Sequence, residues 1–140
     1  DWQQSPSPNV LRILLEREGK ESGHTTSVVK YLKDSEFSSH LPPHGEEIFV
    51  LEGTFSDELG DYPAGSYIRN PSGSSHAPFS KDGCLLYVKL NQFQSGDNQK
   101  VLINTNASAW HQGQGNLKVM PLHSFGTENV ALVKWPAGEK

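Results

Sequence analysis

The chain of 140 residues has one cysteine, one methionine and no long hydrophobic run. Because Cys84 stands alone, a framework of internal disulfides is excluded, and this composition is typical of a reducing compartment, which predicts a cytoplasmic protein. No stretch approaches the roughly 20 apolar residues that span a bilayer, and the N-terminus lacks the basic and then apolar pattern of a signal peptide. The sequence therefore excludes membrane insertion.

Basic residues are also scarce. Twelve Lys and Arg stand against sixteen Asp and Glu, which gives a formal net charge of −4. No basic cluster offsets this balance, so we expect no nucleic-acid partner. The 34% of hydrophobic residues are gathered into short runs, and the length fits one folded domain.

Helical periodicity is absent as well, because apolar residues at a spacing of 3.6 are not sustained over any useful window. Short apolar and β-branched runs recur instead, separated by Gly, Pro, Asn or Asp. They are Val10–Leu15, Thr25–Leu32, Ile48–Leu51, Cys84–Leu90, Val101–Ile103, Leu117–Met120 and Val130–Val133. This pattern predicts an all-β domain, an antiparallel sandwich or barrel, over residues 9–140. Residues 9–18 also fit a short helix, and residues 1–8, which include Pro6 and Pro8, are predicted to form an extended arm.

Three of the six histidines stand close to acidic or glycine-rich segments. His40 and His44 flank Leu-Pro-Pro ahead of Glu46, and His76 follows the sequence Pro-Ser-Gly-Ser-Ser. Neutral imidazoles and a carboxylate that converge from different strands are ligands that divalent transition metals take in proteins. These four side chains are therefore candidate metal ligands, although any one of them alone would be an ordinary surface residue.

The spacing of these residues resembles the two motifs of the cupin superfamily. In the first motif, G-x5-H-x-H-x3,4-E-x6-G, His40 takes the place of the first histidine, Glu46 of the carboxylate and Gly53 of the last glycine. In the second, G-x5-P-x-G-x2-H-x3-N, residues 65–76 match every fixed position, and Ser80 stands where the closing Asn would be. The resemblance implies the cupin fold, a double-stranded β-helix or jelly-roll barrel in a single domain.

Within that superfamily, residues 46–58, 60–76 and 83–89 resemble the ChrR-type cupin family, and the similarity runs from about Leu15 to Lys89. The family includes the zinc-binding C-terminal domain of anti-sigma factors, free-standing cupins and relatives of metal-dependent dioxygenases that act on small carbonyl compounds. The resemblance implies one divalent transition metal in the mouth of the barrel. Zn or Fe is expected first, and Mn or Ni also suit a set of His and Glu ligands.

The first motif departs from the family pattern where a metal ligand is expected. The second histidine of H-x-H would stand at Pro42, which has no ligand atom, and the glycine two places later is replaced by His44. One alternative is that His44 joins the other three candidates in a shifted set, across an offset of about 6.6 Å in an extended chain. A second is that the other three act alone, because three protein ligands suffice for a catalytic type of site. The third alternative is a barrel that holds no metal.

Some other side chains have two interpretations. Tyr67 and Arg69 share one face of the strand that leads to His76, and they would orient an anionic or carbonyl ligand if that face is interior. If that face is exterior, Arg69 would be an outward side chain. Cys84 lies within an apolar strand and is interpreted as a buried structural thiol rather than a redox sensor. The remaining histidines are interpreted as non-ligands, the last two in polar loops: His24, His111 and His123.

The C-terminal segment 128–140 resembles a strand that leads into a metal motif. It is therefore expected either to close the barrel as its last strand or to lead into a second cupin repeat. For the whole chain, the sequence predicts a metal-binding cupin of unassigned activity. This cupin would be either a mononuclear metal-dependent dioxygenase or hydrolase acting on a small carbonyl compound, or a non-catalytic sensor related to the anti-sigma factor ChrR. The segment before Val10 is too short for a sigma-binding domain, so a direct anti-sigma role is not expected. The expected partner is a small-molecule ligand, and a homodimer is implied by the resemblance alone.

Overall fold

β-Strands and their turns make up nearly all of the described chain, as the sequence predicted. The computed structural model describes residues 2–4, 9–17, 25–36, 45–71, 77–90, 93, 96–126 and 128–135. The strands are β1 (Gln3–Gln4), β2 (Val10–Arg17), β3 (Thr25–Tyr31), β4 (Ser35–Glu36), β5 (Glu46–Asp57), β6 (Gly60–Pro63), β7 (Ser66–Asn70), β8 (Phe79–Ser80), β9 (Cys84–Leu90), β10 (Val101–Asn104), β11 (His111–Gln112), β12 (Lys118–Phe125) and β13 (Glu128–Lys134). The helix considered for residues 9–18 is wrong, since β2 occupies that segment.

Helical structure within the described ranges is limited to one 3₁₀ turn, Thr105–Ala107, which Asn104 caps through its side chain. None of these residues therefore belongs to a helix with the length and apolar character needed to span a membrane. The predicted N-terminal arm contributes the short strand β1, which pairs with β2 through Gln3 opposite Arg12 and Gln4 opposite Leu11.

The largest sheet has ten strands, and its main path runs β1-β2-β3-β9-β5-β7-β10. All of its ladders are antiparallel, and β5 connects them. The first half of β5 pairs with β9 and β7, whereas its second half pairs with β6 and, at Ser56, with β8. A register shift between Val50 and Glu52 marks a β-bulge, where an antiparallel strand bends and twists more strongly. Because of this bend, β5 pairs with β7 and β9 on one side of the core and with β6 and β8 on the other.

The inner face of this sheet encloses the main hydrophobic core. Alternate residues of β5 and β7 point inward, because successive side chains of a strand face opposite sides. Burying a large apolar side chain fully stabilises the fold by about 1.5–3 kcal/mol. The buried members of this core are Val10, Tyr31, Ile48, Val50, Phe55, Tyr62, Ile68, Cys84, Leu86 and Val88.

A second layer covers part of the outer face. It is the three-stranded sheet β11-β12-β13, and its buried Met120 and Leu122 pack with Tyr67 of β7. Half-buried apolar residues of both layers surround this contact: Phe49, Val101, Ile103, Val130 and Leu132. The C-terminal segment expected either to close the barrel or to lead into a second repeat thus pairs, through β13, with β12. Both interpretations of that segment stay predictions.

Candidate functional site

On the inner face, the candidate site begins with Glu46, the first residue of β5. Glu46 is 6% exposed and pairs in register with Asn70, the last residue of β7. The side-chain amide of Asn70 donates a hydrogen bond of 3.0 Å to Glu46 Oε2, and Asn70 Oδ1 accepts one of 2.7 Å from Lys100 Nζ. The carboxylate of the first motif therefore meets the end of β7, a strand within the second motif.

Tyr31 belongs to the same interior. Burial, and next the negative charge of Glu46, raise the pKa of Tyr31, so its phenol stays protonated at neutral pH. Its ring stands edge-on to Phe55 at 5.7 Å between centroids, which is a favourable aromatic arrangement. The inner face thus places the buried Glu46 carboxylate beside an apolar, aromatic wall.

The histidines predicted to complete this site lie outside the described residues. They are His40, His44 and His76. Glu46 is the one predicted ligand whose surroundings are described. The four-residue ligand set therefore stays a prediction, as does the choice between a shifted set and a three-ligand set.

Tyr67 and Arg69 occupy the opposite face from Glu46. Both are buried, with exposures of 3% and 1%, beneath the three-stranded sheet. Arg69 Nη1 donates to Glu47 Oε2 at 2.7 Å and to the Tyr67 hydroxyl at 3.2 Å, and that hydroxyl donates to the same Glu47 oxygen. Burial and Glu47 raise the pKa of Tyr67, against the opposite effect of Arg69, so the phenol keeps the proton it donates.

The sequence left open whether this face is interior, and the fold gives a third outcome. The face is on the outside of the barrel, yet a second layer buries it. Tyr67 lines a groove of about 400 Å³ between the two sheets, together with Phe49, Tyr87 and Lys89. The predicted role of Tyr67 and Arg69 in substrate binding remains a prediction, and it would concern this groove rather than the space around Glu46.

Three further ionisable residues complete what we call the Arg69 cluster. Arg69 Nη2 lies 3.0 Å from Asp97 Oδ2 and 3.4 Å from Glu128 Oε1, and His123 Nε2 lies 2.9 Å from Asp97 Oδ2. The guanidinium also stacks over the ring of Phe93, 4.0 Å from its centroid. The cluster therefore ties β5 and β7 to β12 and β13. Its members are Glu47, Tyr67, Arg69, Asp97, His123 and Glu128.

The placement of His123 in a polar loop is wrong. This residue is part of β12, and its side chain is 3% exposed. Ligand atoms of Asp97, His123 and Glu128 lie within 4.8 Å of one another, close enough to hold a metal ion. The guanidinium of Arg69 already contacts both carboxylates, however, and supplies the positive charge that a metal would bring. No signal in the sequence pointed to Asp97, which lies in a polar connection after β9.

Asp97 gives the cluster a dependence on pH. Burial opposes its ionisation, but hydrogen bonds from His123 and from the Gln99 backbone N–H, together with Arg69, hold the pKa of Asp97 below its ordinary value of 3.8. A carboxyl whose pKa is lowered by folding stabilises the protein above its ordinary pKa, and this contribution is lost as the pH falls through the folded value. We therefore expect the urea concentration at the unfolding midpoint to decrease as the pH is lowered below 3.8. This decrease should be less steep in Asp97→Asn. Asp82→Asn, at an exposed carboxylate, should keep the native profile, and a native profile in Asp97→Asn would contradict the assignment.

Cys84 fits its predicted role as a structural thiol. The residue is 6% exposed within the main core, and burial raises its pKa to about 11, against a weaker opposite effect of a hydrogen bond with Ser80. A thiol that stays protonated at neutral pH is a poor nucleophile. His111, the other described histidine, is exposed in β11, and His24 lies outside the described residues.

Comparison with known proteins supports the fold and the resemblance. Residues 1–94 match the ChrR cupin-like domain family. Among curated proteins, none matches the sequence significantly. The similar solved structures are 11–20% identical to this chain, so those likenesses establish the fold alone.

Three of the similar structures illustrate the range. A chain in the crystal structure of Rhodobacter sphaeroides SigE in complex with the anti-sigma ChrR has a TM-score of 0.55 and 19% identity, covering 64% of this chain and 47% of that one. An acetylacetone dioxygenase from Acinetobacter johnsonii has a TM-score of 0.57 and 19% identity. The likeness covers 75% of this chain and 80% of that one. A candidate glyoxylate-induced protein from Pseudomonas aeruginosa has a TM-score of 0.69 and 11% identity. The likeness covers 94% of this chain and 57% of that one.

The chain thus spans about half the length of the first and the third of these proteins. The family match covers well over half of the present chain, and it includes both motifs. Together with the antiparallel fold, it places this chain in the ChrR cupin-like domain family of the cupin superfamily.

Proposed function

We propose that this chain binds one divalent transition metal through His40, His44, Glu46 and His76 and acts on a small carbonyl compound. The position of Glu46 carries the proposal. Its carboxylate is buried on the inner face, next to the end of β7 in the second motif, and it accepts a hydrogen bond from the Asn70 amide. The neighbouring Glu47 faces the other side of the sheet, where it is paired with the Arg69 guanidinium. A donor set of imidazoles and one carboxylate suits Zn or Fe and also accepts Mn or Ni.

The chemistry of such a site follows from its surroundings. A divalent metal with an open coordination position polarises a carbonyl group as a Lewis acid. The protein would contribute a dry interior and a protonated phenol at Tyr31, which can donate a hydrogen bond to a ligand oxygen. The likeness to an acetylacetone dioxygenase supports a dioxygenase, with a hydrolase as the other possible reaction, but the substrate itself is unassigned.

A non-catalytic sensor is the second candidate. It is favoured by the family match to the ChrR cupin-like domain and by the likeness to a chain from the SigE–ChrR complex. The two candidates differ in turnover. Oxygen consumption by the Fe(II)-loaded protein with simple 2,4-diketones would support the enzyme. Ligand-dependent or metal-dependent structural change without turnover would support the sensor.

The metal content provides the first test. Protein purified without added metal is expected to carry close to one equivalent of a transition metal per chain. Elemental analysis by mass spectrometry measures this content. Since three or four ligands hold it, His76→Ala should lower the content to less than about a tenth of an equivalent. His111→Ala, which removes an exposed histidine of β11, is the matched control and should leave the content unchanged.

Two further outcomes decide between the alternatives. If His44→Ala keeps the native metal content, the shifted set is wrong and His40, Glu46 and His76 act alone. If the native protein holds less than about a tenth of an equivalent and takes up none on titration with Zn or Fe, both metal-dependent functions are wrong. The barrel would then bind a small molecule or another copy without metal.

A further inference from the structure

The carboxylate of Glu46 does not stand alone at the end of β5. Glu46 and Glu47 are adjacent on β5, and they face Asn70 and Arg69, which are adjacent on β7. Alternation along the strands puts the Glu46–Asn70 pair inside the barrel and the Glu47–Arg69 pair outside it. The two pairs therefore lie back to back on the same short stretch of backbone.

One short segment reaches both pairs. Asp97 contacts Arg69 on the outer side at 3.0 Å, and Lys100, three residues later, contacts Asn70 at 2.7 Å. Asp97 also accepts a hydrogen bond from the backbone N–H of Gln99 at 3.3 Å, which fixes the turn between these two contacts. The segment 97–100 thus holds the last two residues of β7 from both sides.

The contact with Lys100 determines which way the Asn70 amide is turned. A lysine ammonium group can only donate hydrogen bonds, so the atom of Asn70 that faces it must be the oxygen. The amide nitrogen then faces Glu46, where it donates to Oε2 at 3.0 Å. If Lys100 were removed, the Asn70 oxygen would lose this donor, and of these two contacts only the one with Glu46 would still fix the amide.

We propose that Lys100 and Asn70 are positioning residues for Glu46: Lys100 orients the Asn70 amide, which holds one oxygen of the Glu46 carboxylate in place. This inference rests on the proposed function, since Glu46 is the ligand whose orientation matters. Residues that orient a metal ligand affect metal affinity by about 10-fold to 100-fold when they are replaced. Lys100 acts at the lower end, because it reaches the carboxylate through one intervening side chain.

The sign of the effect separates positioning from simple electrostatics. Removing a positive charge close to a cation site strengthens cation binding, because it removes a repulsion. Removing a positioning residue weakens it, because the ligand loses its orientation. Lys100→Met is therefore expected to weaken Zn²⁺ binding about 10-fold in a competition titration with a chelator. Lys100→Arg, which keeps a group that only donates, should restore native affinity.

Lys89→Met is the matched control. Lys89 also carries a positive charge at this end of the sheet, 4.0 Å from Glu47 Oε1, but on the outer face and without contact to Asn70. Its replacement should leave Zn²⁺ affinity unchanged or raise it slightly. Equal or tighter binding by Lys100→Met would overturn the proposal. Lys100 is exposed, so the variant should unfold at the native temperature, and thermal unfolding verifies this.

A measurement on the metal-free protein keeps this inference separate from the proposed function. The two side-chain NH₂ protons of Asn70 can be followed by ¹⁵N NMR, and their exchange with water should be slow while they are bonded to Glu46. In Lys100→Met, exchange should accelerate, whereas in Lys89→Met it should not. If native protein binds no Zn²⁺ at all, the proposed function fails. The exchange rates still decide whether Lys100 orients Asn70, and unchanged rates in Lys100→Met would overturn that.

Discussion

Replacement of Arg69 by Met is expected to lower the free energy of unfolding by about 3–5 kcal/mol. Arg69 is 1% exposed and contacts the carboxylates of Glu47, Asp97 and Glu128. Its removal leaves the buried carboxylates of Glu47 and Asp97, and the half-buried carboxylate of Glu128, without their main cation. Because the cluster joins β7 to β12 and β13, we expect the three-stranded sheet to detach first in this variant.

Urea unfolding at pH 7 measures this loss, and hydrogen exchange of β12 and β13 locates it. Lys118→Met is the control, since it removes an exposed cation of the same sheet, whose ammonium group donates to Gln112 Oε1. It should change stability by less than about 0.5 kcal/mol. Adding Glu47→Gln and Asp97→Asn to the Arg69 variant should recover part of the loss, because the unpaired charges disappear. An Arg69→Met protein as stable as the native chain would show that the cluster contributes nothing to the fold.

Replacement of Gly53 by Ala is the second large effect, and it is expected to cost about 3–5 kcal/mol or to prevent folding. Gly53 has a φ of +75°, which disfavours any residue with a side chain. A Cβ atom there would lie 2.3 Å from the Gly83 carbonyl oxygen and 3.0 Å from Cys84 Cα. Both are backbone atoms, so no side chain can rotate away to make room. The last glycine of the first motif is thus explained by the close approach of β9.

Gly60→Ala is the matched control. Gly60 begins β6, no atom lies within 4 Å of a Cβ built on it, and its φ is outside the left-handed region. This variant should unfold within about 0.5 kcal/mol of the native protein in urea. If Gly53→Ala unfolded at the native midpoint, then β5 and β9 would not approach each other as closely as described.

The strands of the main sheet could be predicted from the sequence, because apolar runs bounded by turn residues depend on local chemistry alone. The inward direction of Glu46 also follows from period-two alternation with Ile48 and Val50, which are core residues. The same alternation correctly placed Tyr67 and Arg69 on one face. The second layer that buries this face could not be predicted from the pattern. Alternation within a strand separates its two faces, but it does not show which other strands cover each face.

The Arg69 cluster could not be predicted for the same reason. Its acidic partners Asp97 and Glu128 lie 28 and 59 positions from Arg69 in the sequence, in segments with no motif. The packing of Met120 and Leu122 against Tyr67 places the three-stranded sheet, which carries Glu128, beside Arg69. His123 was misplaced because it adjoins a register shift of β12, between Pro121 and His123, where regular alternation fails. Long-range packing therefore decided the parts of the molecule that local patterns left open.

The central position of β5 has a consequence for how the protein forms. This strand pairs with four others, and the last of them along the chain, β9, begins 27 residues after β5 has ended. Pairing between segments that are distant in the sequence costs the entropy of loop closure before the new contacts stabilise the fold. Folds of this kind take milliseconds to seconds to form. During synthesis, the edge of β5 that awaits β9 stays uncovered until Leu90 has left the ribosome. That interval is when self-association of nascent chains competes with folding.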